Sequence, residues 1–268
     1  MIKTVIVGAA GRMGKTLIQQ VVETDSFGLA GAIEYAGSSC MGEDAGIIAG
    51  CGEQGIVVSA DLETALQNAD VIIDFSTPEQ TLSYAETAVN KNCGVVIGTT
   101  GMSDDDRQRI QTLTENSGRI VMAPNMSTGI NLLFYLCDKV AGILGSDYDK
   151  EVIEAHHNRK KDAPSGTARR MGEIMAEATA LDYRTVVRHG REGETGARTK
   201  EEIGMHAVRA GDIVGEHTAL FAGAGERIEL THRASSRATF AQGALRAAAF
   251  VVEAEPGLYD MQDVLHLR

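Results

Sequence analysis

The sequence predicts an α/β protein with a doubly wound parallel sheet, followed by a second α+β domain with a mixed or antiparallel sheet. The first prediction depends on short apolar runs that alternate with amphipathic runs of helical length, a pattern typical of parallel strands joined by crossover helices. The second depends on several strand-like runs that follow one another closely after residue 180, with no helix predicted between them.

The elements of the first half follow from this alternation. Strands are predicted at 3–8, 28–34, 71–75, 95–100 and 119–123, and helices at 12–24, 78–91 and 103–116. Ser103 is the predicted N-cap of the third helix. Three aspartates follow it in the first turn, where the helix dipole favours negative charge.

The pattern changes after about residue 126. The sequence predicts a helix at 128–143, a strand at 150–157, a helix at 166–180, strands near 184–189, 203–209, 212–221 and 226–233, and a helix at 238–254. The last helix is expected to return to the first domain. We therefore expect one domain to comprise residues 1–126, completed by about 237–268, and the other residues 127–236.

Composition excludes several classes of protein. The 268-residue chain has a net charge of −12, so we expect no nucleic-acid partner. No stretch approaches the ~18 apolar residues of a membrane span, and the N-terminal apolar run is too short for a signal peptide. The four cysteines, at 40, 51, 93 and 137, have neither zinc nor disulfide spacing. We expect free thiols, a cytoplasmic location, no membrane association and no metal site.

A glycine-rich turn joins the first strand to the first helix. It consists of Gly8, Ala9, Ala10, Gly11, Arg12, Met13 and Gly14. Glycines there let the backbone approach a phosphate, and the first N–H groups of the helix point at it. Glu34 stands about 20 residues further on, at the end of the second strand, where a carboxylate can accept hydrogen bonds from ribose hydroxyls. Together these features predict a Rossmann-like dinucleotide site.

The same turn permits a second interpretation. Residues 9–16, AAGRMGKT, fit a permissive triphosphate-binding loop with Lys15, and Asp74 could then hold magnesium. The strict loop begins with glycine, and this interpretation leaves Glu34 unused. Alternatively, Lys15 is a solvated residue on the helix, and Asp74 caps a neighbouring loop at the end of its strand.

Two further loops follow apolar strands. They are GTTG at 98–101 and APNMS at 123–127. In a doubly wound sheet both lie at the carboxyl edge, where a nicotinamide would extend. The alternative is that both are ordinary turns.

The most unusual segment is EAHHNRKKDAPSGTA, residues 154–168, which is basic within an acidic chain. His156 and His157 end a predicted strand, and Lys160 lies in the loop after it. The turn at 164–167 then leads into a helix whose first N–H groups can hold a carboxylate. These features predict an anion site with acid catalysts beside it, and the alternative is a solvated basic loop. Ser165 lacks the GxSxG elbow of a nucleophile.

This segment closely resembles the signature of the 4-hydroxy-tetrahydrodipicolinate reductase (dihydrodipicolinate reductase) family. VGAAGRMG, IDFSTPE, VIGTTG, APNMSTGIN, RAGDIVGEHT and HRASSR also resemble that family's landmarks, in order, over nearly the full chain. The resemblance implies a nicotinamide-nucleotide domain at 1–126 and a substrate-binding, tetramerising domain at 127–236. It also implies NADH- or NADPH-dependent reduction of a cyclic unsaturated dicarboxylate to tetrahydrodipicolinate, with loss of water, in diaminopimelate and lysine biosynthesis.

The resemblance also implies residue roles. His156 matches the family's proton donor and acceptor, and Lys160 matches its second proton donor. The residues that match substrate contacts are His157, Gly166 and Thr167. The residues that match nucleotide contacts are Gly8, Ala9, Ala10, Gly11, Arg12, Met13, Gly14, Glu34, Gly98, Thr99, Thr100, Ala123, Pro124, Asn125 and Met126.

The chemistry of these residue types agrees with that activity. A free histidine has a pKa near ~6.5 and a free lysine near ~10.4, so both types can donate protons at neutral pH, and the basic cluster suits a dicarboxylate. Some family members carry an arginine for the NADP phosphate where this chain has Tyr35. We therefore expect a modest preference for NADH, although Arg12 and Lys15 could meet the phosphate. The alternative from another class is a non-catalytic NAD(H)-sensing module, for which the sequence offers no partner-binding region.

Overall fold

The computed structural model describes residues 1–267; Arg268, the end of the predicted 237–268 segment, lies outside them. The strands are β1 (Ile2–Val7), β2 (Phe27–Ile33), β3 (Val58–Ser59), β4 (Val71–Asp74), β5 (Gly94–Ile97), β6 (Arg119–Met122), β7 (Asp149–His156), β8 (Val187–His189), β9 (Ile203–Arg209), β10 (Gly215–Ala222), β11 (Arg227–Ala234) and β12 (Gly257–Tyr259). The helices are α1 (Arg12–Glu23), α2 (Ala45–Ala49), α3 (Leu62–Ala65), α4 (Pro78–Asn90), α5 (Asp104–Asn116), α6 (Thr128–Leu144), α7 (Gly166–Ala178), α8 (Tyr183–Val186), α9 (Ala238–Glu253) and α10 (Met261–Val264).

The chain forms two compact units, Met1–Thr128 with Arg237–His266, and Gly129–Ser236. The first unit contains a seven-stranded sheet in the order β12-β6-β5-β4-β1-β2-β3, and every pair in it is parallel. The predicted doubly wound parallel sheet is confirmed. The short strands β3 and β12 and the helices α2, α3 and α10 were not predicted, because each is too short to show a period.

Alternation along the central strands builds two separate cores in this unit. Val5 and Val7 of β1 belong to one buried cluster, and Ile6 belongs to the other. The alternate residues of a strand point to opposite faces, so a strand buried on both faces reads as a continuous apolar run. This explains why the apolar run KTVIVG, residues 3–8, predicted the strand.

Helix α5 begins as its sequence predicts. The Ser103 hydroxyl accepts a hydrogen bond from the Asp106 amide at 3.1 Å, and the three aspartates occupy the first turn. The cap satisfies an amide that has no partner within the helix.

The second unit contains a five-stranded sheet in the order β11-β10-β7-β9-β8. Strand β10 is antiparallel to β7 and β11, whereas β7 and β8 are parallel to β9, so the predicted mixed sheet is confirmed. Helices α6 and α7 cover one face, where Val152 and Phe221 join the core.

The strand predicted near 184–189 is partly wrong. Tyr183–Val186 forms a single helical turn, α8, and only Val187–His189 is extended. The Asp182 carboxylate accepts a hydrogen bond from the Arg184 amide at 3.0 Å, and this cap favours the turn over a strand. A short helix therefore does lie among these strands.

The other face of the five-stranded sheet is exposed. Ile153 and Val208 are 40% and 46% exposed there, beside a hydrogen bond between Thr218 and Thr231. We call this surface, defined by Ile153, Val208, Thr218, Leu220 and Thr231, the open face. Strand β7 thus separates a solvent-facing row from a buried row that contains Val152 and Glu154.

Candidate functional site

The residues predicted to bind a nucleotide lie along one edge of the parallel sheet. The glycine-rich loop follows β1, Glu34 follows β2, Gly98–Thr100 follow β5, and Ala123–Met126 follow β6. The carboxyl ends of parallel strands share an edge, and ligands of open α/β sheets bind there. The sheet order changes direction between β4 and β1, which locates the switch point beside the glycine-rich loop.

The backbone of the glycine-rich loop requires its glycines. Gly8 has φ +78°, a left-handed conformation, and a Cβ atom there would lie 2.7 Å from the Phe75 carbonyl oxygen. A Cβ atom on Gly14 would lie 2.7 Å from the Cα atom of Ala9. Gly11 is the N-cap of α1, and no side chain caps that helix end. The loop therefore presents main-chain atoms rather than side chains to a ligand, as a pyrophosphate site requires.

Glu34 connects the second strand to this loop. One carboxylate oxygen accepts a hydrogen bond from the Ala10 amide at 2.9 Å, and the other accepts one from the Tyr35 amide at 3.1 Å. The adjoining cleft of about 390 Å³ is lined by Gly8, Gly11, Glu34, Tyr35, Phe75, Ser76, Thr77, Gln80 and Tyr84. Glu34 is the charged residue of that lining.

Phe75, Ser76 and Thr77 follow β4 and were not predicted as site residues. Strand β4 is hydrogen-bonded to β1, so the loop after it lies beside the glycine-rich loop. The signal was present in IDFSTPE, an apolar strand followed by small polar residues. Sequence alone could not show that β1 and β4 are neighbours, because the two strands are more than 60 residues apart.

Asp74 ends β4 and holds the loop that follows it. Its carboxylate accepts hydrogen bonds from the Ser76 amide at 2.8 Å and the Thr81 hydroxyl at 2.6 Å. Burial raises the pKa of Asp74, although these hydrogen bonds partly offset the effect. Asp74 thus caps a neighbouring loop, as one of the two sequence interpretations expected.

A second cleft in this unit brings together residues of the other two predicted loops. It has a volume of about 200 Å³ and is lined by Thr99, Thr100, Gly101, Met102, Arg107, Met122, Ala123 and Pro124. The side chain of Met126 instead lies in the core, where it is 1% exposed, so only its main chain remains for a ligand.

In the second unit, the strand that ends at His156 carries a buried carboxylate two residues earlier. Glu154 and His156 lie on the same face of β7, and Glu154 is fully buried. The Nδ1 atom of His156 lies 2.5 Å from Oε2 of Glu154. This contact holds the imidazole ring with Nδ1 on the carboxylate.

Arg209 and Ser165 complete the surroundings of Glu154. The Arg209 guanidinium donates one hydrogen bond to each carboxylate oxygen, both at 2.8 Å, and the Ser165 amide donates a third to Oε1 at 3.1 Å. Burial acts to raise the pKa of Glu154, but the hydrogen bonds from His156, Arg209 and Ser165 outweigh it and lower the pKa to about 2. Glu154 is therefore ionised.

Glu151, on the opposite face of β7, has a similar charge environment. Its carboxylate contacts Arg191 at 2.8 Å, Arg198 at 2.9 Å and His206 at 2.7 Å. Burial acts to raise its pKa, but these contacts lower the pKa to about 2. Two ionised glutamates thus flank the middle of the strand, one on each face.

His217 lies beside His156 with its ring edge-on, at 5.1 Å between ring centroids. Burial and the neighbouring His156 lower the pKa of His217 to about 3, so its ring is neutral at physiological pH. Its Nε2 lies 3.1 Å from the Ser165 hydroxyl, which also accepts a hydrogen bond from the Ala168 amide as the N-cap of α7. Ser165 is thus a buried capping residue, in agreement with its exclusion as a nucleophile.

The loop after β7 places Lys160 near this cluster. Lys160 Nζ lies 3.0 Å from Asp162, and Arg209 donates a hydrogen bond to the Asp162 carbonyl at 2.7 Å. The turn that carries Lys160 is closed by a hydrogen bond from its amide to the His157 carbonyl at 3.1 Å. Gly166 and Thr167 are the first two residues of α7, directly after the Ser165 cap.

Sequence reasoning missed the contributions of Glu154, Arg209 and His217. Arg209 and His217 both lie in RAGDIVGEHT, which was recognised only as a landmark. The alternation of a strand could have paired Glu154 with His156, since residues i and i+2 share a face. Among residues 1–267 no group of three or more His, Cys, Asp or Glu side chains is arranged to hold a metal ion, and none of the helices is long and apolar enough to cross a membrane.

Comparisons with known proteins agree in both halves of the chain. The family model described as dihydrodipicolinate reductase, N-terminus, matches residues 2–126, and the model for the C-terminus matches residues 129–265. The 4-hydroxy-tetrahydrodipicolinate reductases of Syntrophotalea carbinolica and Geotalea daltonii are 52% and 50% identical over the full length of both chains. A dipicolinate-bound dihydrodipicolinate reductase from Paenisporosarcina sp. TG-14 is similar in structure, with a TM-score of 0.75, 26% identity and 98% of each chain covered.

The depressed pKa of Glu154 predicts how stability depends on pH. The folded carboxylate titrates near 2 rather than at its ordinary 4.5, so the unfolded chain binds a proton between these values that the folded chain does not. This stabilisation is present above pH ~4.5 and is lost as pH falls toward ~2, at about 1.4 kcal/mol per pH unit. Glu154→Gln should therefore show a shallower loss of unfolding free energy between pH 3 and 4.5, measured by urea unfolding.

The control for this measurement is Glu173→Gln, because Glu173 forms ion pairs with Arg169 and Arg170 on α7 rather than a buried cluster. Its slope should match that of the wild type. Equal slopes for the wild type and Glu154→Gln would contradict the assignment of an ionised, buried Glu154.

Proposed function

The chain belongs to the dihydrodipicolinate reductase family, and we propose that His156 and Lys160 are the proton donors of its reaction. The protein is an NAD(P)H-dependent oxidoreductase that reduces 4-hydroxy-tetrahydrodipicolinate to tetrahydrodipicolinate, with loss of water, in diaminopimelate and lysine biosynthesis. The triphosphate-binding interpretation of residues 9–16 and the non-catalytic NAD(H)-sensing alternative are wrong. The observation that carries the residue assignment is the 2.5 Å contact between His156 Nδ1 and the ionised Glu154.

His156 is suited to deliver a proton. Its Nδ1 is engaged by Glu154, which leaves Nε2 as the atom that can face a substrate. When hydride has been added to the conjugated imine, the electron-rich product must gain a proton, and a histidine can supply it at neutral pH. His217 is neutral, so it adds no second positive charge beside the imidazolium.

Lys160 is suited to meet a dianion and to donate a second proton. Its ammonium group is partly buried and contacts Asp162, whose own position is fixed by Arg209. His157 lies in the turn before it, and Gly166 and Thr167 begin α7, where the helix dipole favours a carboxylate. We assign these three residues to the substrate carboxylates.

The first unit fits a reduced nicotinamide dinucleotide. A side chain at Gly8 or Gly14 would fill the space that the main chain needs, and Glu34 lies where ribose hydroxyls would donate hydrogen bonds. When bound, the nicotinamide supplies the hydride. We assign the pyrophosphate to the loop Gly8–Gly14, and the rest of the cofactor to the loops 98–100 and 123–126 at the same sheet edge.

We propose that the protein prefers NADH modestly. The cleft beside Glu34 presents a carboxylate where the 2′-phosphate of NADPH would lie, and Tyr35, 58% exposed, supplies no cation. Like charges a few ångströms apart cost on the order of 1 kcal/mol even in water. Arg12 and Lys15 are exposed on α1 and could offset part of this repulsion.

We propose that the protein is a homotetramer assembled through the open face. Ile153 and Val208 leave apolar surface exposed in the middle of that face, and Leu220 lies on it next to Glu151. A sheet normally covers such a surface with another layer, and a second copy of the chain can supply one. The family resemblance supplies the number of copies.

We also propose a cytoplasmic location. Cys40, Cys51, Cys93 and Cys137 are free thiols, and three of them are buried. Unpaired, buried thiols are typical of proteins from reducing compartments.

The role of His156 predicts a specific loss on mutation. His156→Ala should lower kcat by roughly 10²–10⁴, the usual effect of losing a general acid, and leave NADH affinity unchanged. The measurement is NADH oxidation with 4-hydroxy-tetrahydrodipicolinate supplied, together with NADH binding by fluorescence. The control is His189→Ala, because His189 is an exposed histidine at the end of β8. A kcat within a few-fold of wild type for His156→Ala would show that another group donates the proton.

The cofactor assignment predicts that Tyr35 controls nucleotide preference. The wild type should favour NADH over NADPH in kcat/KM by about tenfold or less, since about 1.4 kcal/mol corresponds to a factor of ten. Tyr35→Arg should move the ratio toward NADPH by supplying a cation for the phosphate, whereas Tyr35→Gln should not. Both cofactors are measured on all three proteins. A wild-type preference for NADPH, or an unchanged ratio in Tyr35→Arg, would refute this account of Glu34 and Tyr35.

The assembly proposal predicts the mass in solution. Light scattering should give four times the chain mass of 28.5 kDa for the wild type. Ile153→Glu should lower that mass, because it places a charge in the middle of the open face, which the proposed assembly would bury. Ile143→Glu should not, since Ile143 is 81% exposed on α6, away from the open face. A monomeric wild type, or a tetrameric Ile153→Glu, would contradict this proposal.

A further inference from the structure

Glu154 accepts more hydrogen bonds than a residue that only caps a loop would require. It has no exposed surface, and its two oxygens receive four hydrogen bonds from His156, Arg209 and Ser165. A buried carboxylate is costly unless it is paired and fully hydrogen-bonded. An apolar residue at this point of β7 would pack against the core at no such cost. The arrangement therefore needs a functional explanation.

We propose that Glu154, held by Arg209, is the positioning residue that keeps the His156 ring oriented for proton transfer, with the transferable proton on Nε2. This inference rests on the proposed role of His156 as proton donor. The carboxylate acts only through the imidazole, because it has no surface of its own from which to touch a substrate.

The geometry gives the carboxylate two effects on His156. It fixes the direction of the ring, because Nδ1 lies 2.5 Å from Oε2 of Glu154. An ionised carboxylate only accepts hydrogen bonds, so Nδ1 must carry a proton and the transferable proton is on Nε2. The orientation of the ring and the position of its transferable proton thus have one cause.

Arg209 makes this arrangement stable through the reaction. When His156 gives up its proton, Glu154 loses a cationic neighbour, and the bidentate guanidinium remains to compensate the buried negative charge. Arg209 also donates a hydrogen bond to the carbonyl of Asp162, whose carboxylate contacts Lys160. A single arginine therefore links the surroundings of both proposed proton donors.

The other groups near His156 do not offer the same contact. His217, on β10, is neutral because burial lowers its pKa to about 3. Lys160, in the loop after β7, and Arg209, on β9, carry only hydrogen-bond donors, so neither can accept a hydrogen bond from Nδ1. Glu154 is the acceptor for Nδ1, so its removal should release the ring.

The test is the imidazole tautomer and the kinetics of Glu154→Leu, with Glu154→Gln beside it. Leucine removes the acceptor of Nδ1, whereas glutamine preserves the shape and one acceptor oxygen. A hydrogen bond to a charged group contributes about 1.5–3 kcal/mol, so kcat of Glu154→Leu should fall by about 10- to 100-fold, and ¹⁵N NMR should no longer find the proton of the neutral His156 ring on Nδ1. NADH affinity should not change, and Glu154→Gln should retain more activity than Glu154→Leu. A merely structural role would lower activity and leave the proton on Nδ1.

Two further variants make the result decisive. Loss of Glu154 leaves the half-buried Arg209 without its bidentate partner, so the double variant Glu154→Leu/Arg209→Met, which removes both charges, is measured beside it and should show the same loss of the Nδ1 proton. The control is Glu151→Gln, which removes an arginine-bound carboxylate from the other face of β7 and should keep the wild-type tautomer. A neutral His156 ring that keeps its proton on Nδ1 in either folded Glu154 variant overturns the inference.

The same experiments separate this inference from the assignment of His156. If His156→Ala is fully active, the proposed proton donor is wrong, and the positioning role is wrong with it. If His156→Ala is impaired but the neutral His156 ring keeps its proton on Nδ1 without Glu154, only the positioning role is wrong. Unchanged NADH affinity in each variant shows that the nucleotide-binding unit is intact.

Discussion

The second unit depends on one constraint, the need to keep the buried carboxylate of Glu154 ionised. Its hydrogen-bond donors come from three places: His156 on the same strand, Arg209 on β9, and the Ser165 amide before α7. The parallel register pairs His156 with Arg209, so both side chains lie on the face that carries Glu154. The pairing of β7 with β9 and the cap of α7 thus both supply contacts to the charge of Glu154, and Arg209 also donates a hydrogen bond to the loop at 157–164. Changing any of them would leave a buried polar group without its partner.

The first unit depends on a different constraint, the close approach of main chain at the sheet edge. Gly8 in a left-handed conformation lies against Phe75, and Glu34 holds the Ala10 amide. The parallel order of the strands then brings four loops to one edge. In the proposed function the nucleotide binds to this unit, whereas the proton donors and the basic residues for a dianion are those of the other unit.

Sequence predicted the parts of this design that are local. Short apolar runs predicted β1, β5 and β6, and the crowding of His156 and Lys160 predicted a cluster of acid catalysts, because each signal lies within a few neighbouring residues. Arg209 lies 55 residues from Glu154, and only the parallel pairing of β7 with β9 joins them. The strand predicted at 184–186 is wrong because the Asp182 cap, a three-residue feature, outweighs β propensity there.

NMR of the imidazole ring can show which nitrogen of His156 carries a proton. The protein labelled with ¹⁵N at its seven histidines would be titrated from pH 5 to 9, with His156 assigned by comparison with His156→Ala. Nδ1 of His156 should carry a proton, bonded to Glu154, and Nε2 should be the nitrogen without a proton in the neutral ring. A neutral ring protonated at Nε2, with Nδ1 bare, would contradict the proposed role of Glu154.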